Sequence, residues 1–264
     1  MNRFAGFLII IIIAAAGCTR QPEPVPPGKV VVLLYHRISE GAAANLYERS
    51  SADFEADLKF LRKNNISVIN FEELEGLISK GEMPSGDAAV LTFDDGDHSW
   101  VTRVKPLLIK YEMKATFFLW VSRVGRDSYL SWKDVTDMSH YMDADGIRPF
   151  TFGSHTMSHQ YLKTMKAAFA DPAEFSRYLD EELGSSAAEI EKYVPGEVSI
   201  LALPYGDGAG DETITAGARR NGYRMIRTSE RGTVSSPETD LFRIPSLPML
   251  DITDPASILP YLGR

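Results

Sequence analysis

Two adjacent carboxylates, Asp94 and Asp95, stand between an apolar run, residues 88–93, and Gly96. The run reads as a short buried strand closed by a turn signal. Neighbouring acids repel, so such a pair is tolerated where a cation or a shared proton relieves it. One carboxylate holding a metal while the other acts as a general base would meet that demand. Further along, His155 and His159 are four apart, a spacing that puts both imidazoles on one side of a helical turn. Two histidines and a carboxylate make a three-ligand set with positions left for water and substrate, as catalytic zinc requires. Each group alone has a bland reading, a solvated turn or a pair of surface histidines. Together they point to a metal centre.

These groups have to be brought together by the chain between them. Residues 30–35, 66–69, 88–93, 115–120, 150–153, 198–203 and 223–227 read as seven buried strands, with 242–244 as a late extended piece. Between them the pattern predicts helices. One has Phe54, Leu58 and Leu61 as its apolar face and Ser51 or Asp53 as its cap. Others span 71–80, an amphipathic segment through Val101, Val104 and Leu108, 131–141 capped by Ser131, 171–193 interrupted at Gly184, and 212–221. Strands alternating with helices predict parallel pairing through right-handed crossovers. A closed or nearly closed α/β barrel is the first expectation, an open doubly wound sheet the second. His36, Asp94-Asp95, His155/His159 and Pro204-Tyr205-Gly206 all fall at strand exits, which on a barrel gather at one mouth. Asp143-Ala144-Asp145-Gly146 lacks the ligands of a calcium loop, with Tyr141 and Phe152 at its first and last ligand positions, and reads as a turn.

Thr92-Phe93-Asp94-Asp95-Gly96 and Ser154-His155-Thr156-Met157-Ser158-His159 resemble the first two motifs of the polysaccharide deacetylases, carbohydrate esterase family 4. Leu33-Leu34-Tyr35-His36 and Ala202-Leu203-Pro204-Tyr205-Gly206 resemble its poly-β-1,6-N-acetylglucosamine N-deacetylase branch. The similarity covers about residues 30–250. It implies a distorted (β/α)7 barrel of parallel strands in a single domain. It also implies Asp95, His155 and His159 as ligands of a divalent metal, zinc before cobalt, nickel or iron. Asp94 would be the general base, and the Tyr205 backbone amide, beside Pro204, would hold the oxyanion. Two departures stand out. Most members carry an Arg two residues before the motif proline, where this chain has Ala202. Most also take a general-acid histidine from a late motif, but the five histidines here are 36, 98, 140, 155 and 159. In the poly-N-acetylglucosamine branch the acid resembles a histidine at the first strand's exit, which is His36. Trp132, with Tyr129 and Tyr205, offers flat faces for sugar rings; His98 reads as a loop residue and His140 as exposed.

The reaction so implied is metal-dependent hydrolysis of N-acetyl groups from an N-acetylglucosamine polysaccharide, most simply poly-β-1,6-N-acetylglucosamine, releasing acetate. Peptidoglycan, chitin oligomers or another exopolysaccharide are alternative substrates, and a non-catalytic polysaccharide-binding protein on the same fold is the non-enzymatic alternative. A non-haem iron oxygenase also uses two histidines and a carboxylate, but its usual β-sandwich does not alternate strands with helices. No Gly-x-Ser-x-Gly elbow supports a serine hydrolase.

The 264 residues carry 28 Lys and Arg against 36 Asp and Glu, a formal charge of −8, with no basic cluster to bind nucleic acid. Residues 1–17 read as a lipoprotein-type signal peptide: Arg3, an apolar stretch from Phe7 to Ala16, then Ala15-Ala16-Gly17-Cys18, which resembles a lipobox. Cys18, the chain's single cysteine, would be lipidated. Residues 18–28, with Pro22, Pro24, Pro26 and Pro27, would form an extended tether reaching roughly 30 Å from a membrane. The expectation is an exported lipoprotein of the cell envelope whose catalytic domain spans 29–264.

Overall fold

The computed structural model of the chain describes residues 27–264; the signal segment, Cys18 and nearly all of the tether lie outside the described residues. Ten strands are present among them: β1 Val30–Tyr35, β2 Ile38–Ser39, β3 Arg49–Ser50, β4 Ser67–Ile69, β5 Ala88–Asp95, β6 Ala115–Leu119, β7 Phe150–Ser154, β8 Ile200–Ala202, β9 Met225–Arg227 and β10 Leu247–Pro248. Eight form one parallel sheet in the order β10-β1-β5-β6-β7-β8-β9, with β4 also on β5, while β2 and β3 pair only with each other. All seven expected strands are found, in a curled parallel sheet that agrees with the distorted (β/α)7 barrel and not with an open doubly wound sheet.

β5 is the hub of this sheet. β1 pairs along it from Val30↔Ala88 to Tyr35↔Phe93. Its other edge is shared, with β4 on Ala88–Val90 and β6 on Thr92–Asp95. β4 is short because Asn70 ends it: the Asn70 side chain and Glu73 form a capping box that starts helix Phe71–Ser79. The late piece expected at 242–244 closes the other end of the sheet. Ile244 bridges Arg227 in parallel, and β10 follows three residues later against Leu33 and Leu34 of β1.

The strands read as unbroken apolar runs because both faces are buried. Val30, Val32, Ala88, Val90, Phe118, Ile200, Ala202 and Met225 pack on the concave face, with Phe71 and Leu74 of the following helix. The alternate residues pack outward against helices. There Tyr35, Phe93, Phe117 and Phe152 occupy matched register positions on four adjacent strands. Their rings follow one another at 5.2, 5.2 and 5.4 Å. Each such pair contributes about 0.5–1.5 kcal/mol beyond its buried area. A one-residue slip would move every ring to the wrong face, so this ladder fixes the register of the four strands. The functional strand exits begin one residue above it.

The helices match the sequence pattern with local corrections. Ser50, not Ser51 or Asp53, caps Ser51–Lys63, its hydroxyl accepting from Asp53 N–H. The long segment expected at 171–193 is Pro172–Leu179 and Ser185–Glu191 joined by a π turn, Asp180–Gly184. Another π turn, Trp100–Val104, precedes the helix that contains Pro106. Asp143 is a turn residue, accepting from the Asp145 and Ile147 amides. No described helix is long and apolar enough to cross a membrane.

Candidate active site at the barrel mouth

Asp94 ends the concave row of β5 and is 3% exposed. Strand alternation would send Asp95 to the opposite face, among the helices. The backbone prevents this by turning left-handed at Asp95, with φ of 86°. Two neighbouring carboxylates thereby reach one site.

The two histidines arrive differently from the expectation. Residues 155–159 are not a helical turn but a loop with left-handed backbone at Thr156 and His159, φ 66° and 59°. Side chains hold this loop. Ser154 Oγ accepts from the Thr156 amide, and Thr156 Oγ1 from the His159 amide. Glu182, projecting from the π turn, accepts from the Ser158 amide at 2.9 Å and the Ser158 hydroxyl at 2.5 Å. π turns recur where a helix must present a residue for function.

The result is a convergent donor set. Asp95, His155 and His159 each present a ligand atom, and all lie within 4.8 Å of one another. Asp95 Oδ1 is 3.3 Å from His159 Nε2 and 3.6 Å from His155 Nε2. The two Nε2 atoms are 3.1 Å apart. His155 donates from Nδ1 to the Ala202 carbonyl at 2.8 Å, which fixes the tautomer and leaves Nε2 with its lone pair toward the centre. Burial of His155 disfavours its charged form and, against the pull of Asp94 and Asp95, takes its pKa down to about 4. Burial also opposes ionisation of Asp95, but the hydrogen bond from His159 and the charges of His155, His36 and His159 outweigh it and draw the carboxyl to about 2. A neutral imidazole and an ionised carboxylate are the ligand forms a divalent cation takes. The donor set fits a metal.

Around it opens a pocket of about 700 Å³ that also receives Asp94, His36, Trp120 and Tyr205. Asp94 Oδ2 lies 3.7 Å from His155 Nε2, while Oδ1 is buried with no partner among the described residues. His36 is half-buried at the exit of β1, edge-on to Tyr47 at 5.7 Å, and its carbonyl accepts from Trp100 Nε1. Trp120 stacks on the His159 ring at 4.5 Å. Pro204 is buried, and Tyr205 after it has left-handed backbone, φ 58°. Tyr205 meets His159 at 4.8 Å on one side and Tyr161 at 3.9 Å, nearly parallel, on the other.

Not every residue singled out in the sequence reaches this pocket. Trp132 stacks on Tyr193 at 4.3 Å and does not line it; the residue whose indole does is Trp120. His98 faces a separate cavity with Asp97 and Arg103, and His140 is an exposed helix cap bonded to the Thr136 carbonyl. Four participants escaped sequence reading: Trp120, Glu182, Tyr161 and Arg227. Arg227 is fully buried and donates from Nη2 to Asp94 Oδ2. An arginine closing the apolar strand Met225-Ile226-Arg227 was the available signal, since a charge at a concave position needs a partner.

Comparison with known proteins is consistent with this geometry. YxkH of Bacillus subtilis is 27% identical over 209 residues, 79% of this chain and 67% of that one. The poly-β-1,6-N-acetyl-D-glucosamine N-deacetylase of Staphylococcus epidermidis is 25% identical over 206 residues, 76% of this chain and 68% of the relative. The Escherichia coli enzyme of the same name is 23% identical, and the match takes in only 36% of its length. Among solved structures, the Streptococcus pyogenes deacetylase PplD, in complex with acetate, superposes with a TM-score of 0.76 at 23% identity, over 90% of this chain and all of that one. IcaB from Ammonifex degensii gives 0.73 at 24% identity, over 90% of this chain and 99% of that one. These two share the fold. The polysaccharide deacetylase profile matches residues 81–226, from before the Asp-Asp strand into β9. The chain therefore belongs to the polysaccharide deacetylase family, hydrolases of N-acetyl amide bonds.

Proposed function

We propose that this chain removes N-acetyl groups from an N-acetylglucosamine polysaccharide, poly-β-1,6-N-acetylglucosamine first among them, and releases acetate. The observation that carries the reading is the convergence of Asp95, His155 and His159 beside a buried carboxylate, Asp94, that is not a member of the ligand set. The names of the Staphylococcus and Escherichia coli relatives support the choice of polymer.

Asp95, His155 and His159 would hold the divalent ion, zinc by preference, with cobalt, nickel or iron compatible with the same donors. When bound, such an ion supplies Lewis-acid polarisation of the acetyl carbonyl and makes water more acidic. Asp94, whose Oδ2 lies 3.7 Å from His155 Nε2, takes the proton of the attacking water. The Tyr205 backbone amide would hold the negative charge that develops on the carbonyl oxygen. His36, across the mouth at the exit of β1, gives a proton to the nitrogen as the C–N bond breaks, because an unprotonated amine anion is a very poor leaving group. Acetate and a free amine result. Tyr205 and Tyr161 are 57% and 46% exposed, so the stacked pair presents a flat apolar face at the rim of the pocket, suited to a neighbouring sugar ring.

Two substitutions separate the assigned roles. Asp95→Ala should lose bound metal, whereas Asp94→Asn should keep it and lose roughly 10²–10⁴-fold in acetate release. Near-normal release by Asp94→Asn would remove the base from the scheme. A panel of β-1,6- and β-1,4-linked N-acetylglucosamine oligomers and peptidoglycan fragments identifies the polymer; faster release from a β-1,4 substrate would overturn the preference stated here. For the export segment, we propose that Cys18 is lipidated and anchors the domain at the cell envelope. A Cys18→Ala protein that still partitioned with membranes would refute that anchor.

A further inference from the structure

Ala202 stands where the family resemblance leads one to expect an arginine, and its side chain can make no ion pair. The β8–β9 register pairs Ala202 directly with Arg227. Both residues are fully buried. Adjacent strands lie about 4.8 Å apart, well within the length of an arginine side chain. The geometry points to Arg227 as the positioning residue for Asp94: the guanidinium is supplied by the neighbouring strand at the paired position. This rests on Asp94 being the base.

The surroundings support a positioning role over a packing one. Arg227 Nη2 engages Asp94 Oδ2, the oxygen 3.7 Å from His155 Nε2, and so holds the carboxylate against the donor set. The guanidinium carbon lies 5.3 Å from the centroid of the Phe118 ring. That ring in turn needs Gly153: a Cβ there would come within 2.6 Å of Phe118. Asp94, Phe118 and Gly153 are paired in register across β5, β6 and β7, so the floor beneath the ion pair is part of the sheet. Arg227 Nε and Nη1 have no partner among the described residues. Unpaired buried donors are costly, and well-packed apolar side chains often replace a buried ion pair without loss of stability. An interior that needed only filling would not require this charge. Position 202 meanwhile serves through its backbone, its carbonyl accepting from His155 Nδ1. One strand pair thus orients a metal ligand from β8 and the base from β9.

The test uses metal-loaded protein and three variants: Arg227→Ala, Arg227→Lys and the double variant Arg227→Ala/Ala202→Arg. Arg227→Ala should lower kcat for acetate release by roughly 100-fold, with KM within about threefold and metal content unchanged. Restoring the guanidinium from position 202 should recover at least about tenfold of that loss, an effect that a merely structural arginine would not show. Should the double variant fail to fold, Arg227→Lys decides: it keeps a charge but not the fork, and must turn over at least about tenfold faster than Arg227→Ala. A readout independent of any substrate is thermal melting. Asp94→Asn/Arg227→Ala should melt above Arg227→Ala, because no orphaned carboxylate remains. Wild-type-like kcat in Arg227→Ala, no recovery in a folded double variant, or a double Asn/Ala variant melting below Arg227→Ala would each overturn the assignment. Acetate release by none of the proteins, with the melting relation intact, would instead count against the proposed function and leave the ion pair standing.

Discussion

Two layers follow one another along the strands of the sheet, one to three residues apart, and obey opposite rules. In the lower one, Tyr35, Phe93, Phe117 and Phe152 form a row of aromatic rings in matched register, dry and packed against helices. In the upper one, His36, Asp94, Asp95 and His155 bring ionisable groups together, with left-handed backbone at Asp95 and an unpartnered carboxylate oxygen. The lower layer gains stability from contact and alignment. The upper layer carries like-charged neighbours and unpaired polar atoms. The contrast indicates a division of labour: the ladder supplies stability that offsets what the charged, left-handed site above it costs.

Substitutions in each layer can break or sharpen that contrast. The largest expected effect is in the ladder. Phe117→Ala should cost about 3–5 kcal/mol of unfolding free energy, measured by denaturant titration, while the folded fraction keeps near-normal turnover. Equal losses of turnover and stability would show that the layers are not separable. A smaller effect is expected from Glu182→Gln, which keeps its shape but weakens the grip on Ser158. Metal affinity, read by competition with a chelator, should fall by about 10–100-fold, the usual scale for a group that orients a ligand. Unchanged affinity would mean that the 155–159 loop holds itself. Smallest is Tyr161→Ala at the rim. KM for longer oligosaccharides should rise by roughly 2–10-fold, in keeping with about 0.5–1.5 kcal/mol for an aromatic contact. A lowered kcat with unaltered KM would instead assign Tyr161 to holding the left-handed backbone of Tyr205.

The sequence was most informative where chemistry and element coincide. Seven apolar runs are the seven expected strands, and the Asp-Asp and His-x-x-x-His pairs sit at the exits of β5 and β7 as anticipated. What it concealed depends on pairing between strands. Arg227 lies far along the chain from Asp94, and only the curl of the sheet and the β8–β9 register make them neighbours. β10 is two residues long and contains Pro248, which cannot donate to a ladder, so it carries little strand signal. The histidine spacing was read correctly for convergence but assigned to a helix. Thr156 and His159 reach the same outcome through left-handed backbone, a conformation that their residue types do not announce. Trp132 had the right chemistry in the wrong place, its face taken up by Tyr193.

The π turn at Asp180–Gly184 has a consequence for how this protein tolerates change in length. Such a turn holds one residue more than the α-helices on either side of it. Deleting any one of its residues other than Glu182 would let Pro172–Glu191 run on as a regular helix. The two halves would keep their phase, because a π turn absorbs its extra residue within one turn, but the widened backbone that projects Glu182 would be gone. The carboxylate now fastened to Ser158 would point elsewhere, and the segment bearing His155 and His159 would be cut adrift. An edit to a helix lining no part of the cavity would thus act as a mutation of the metal centre.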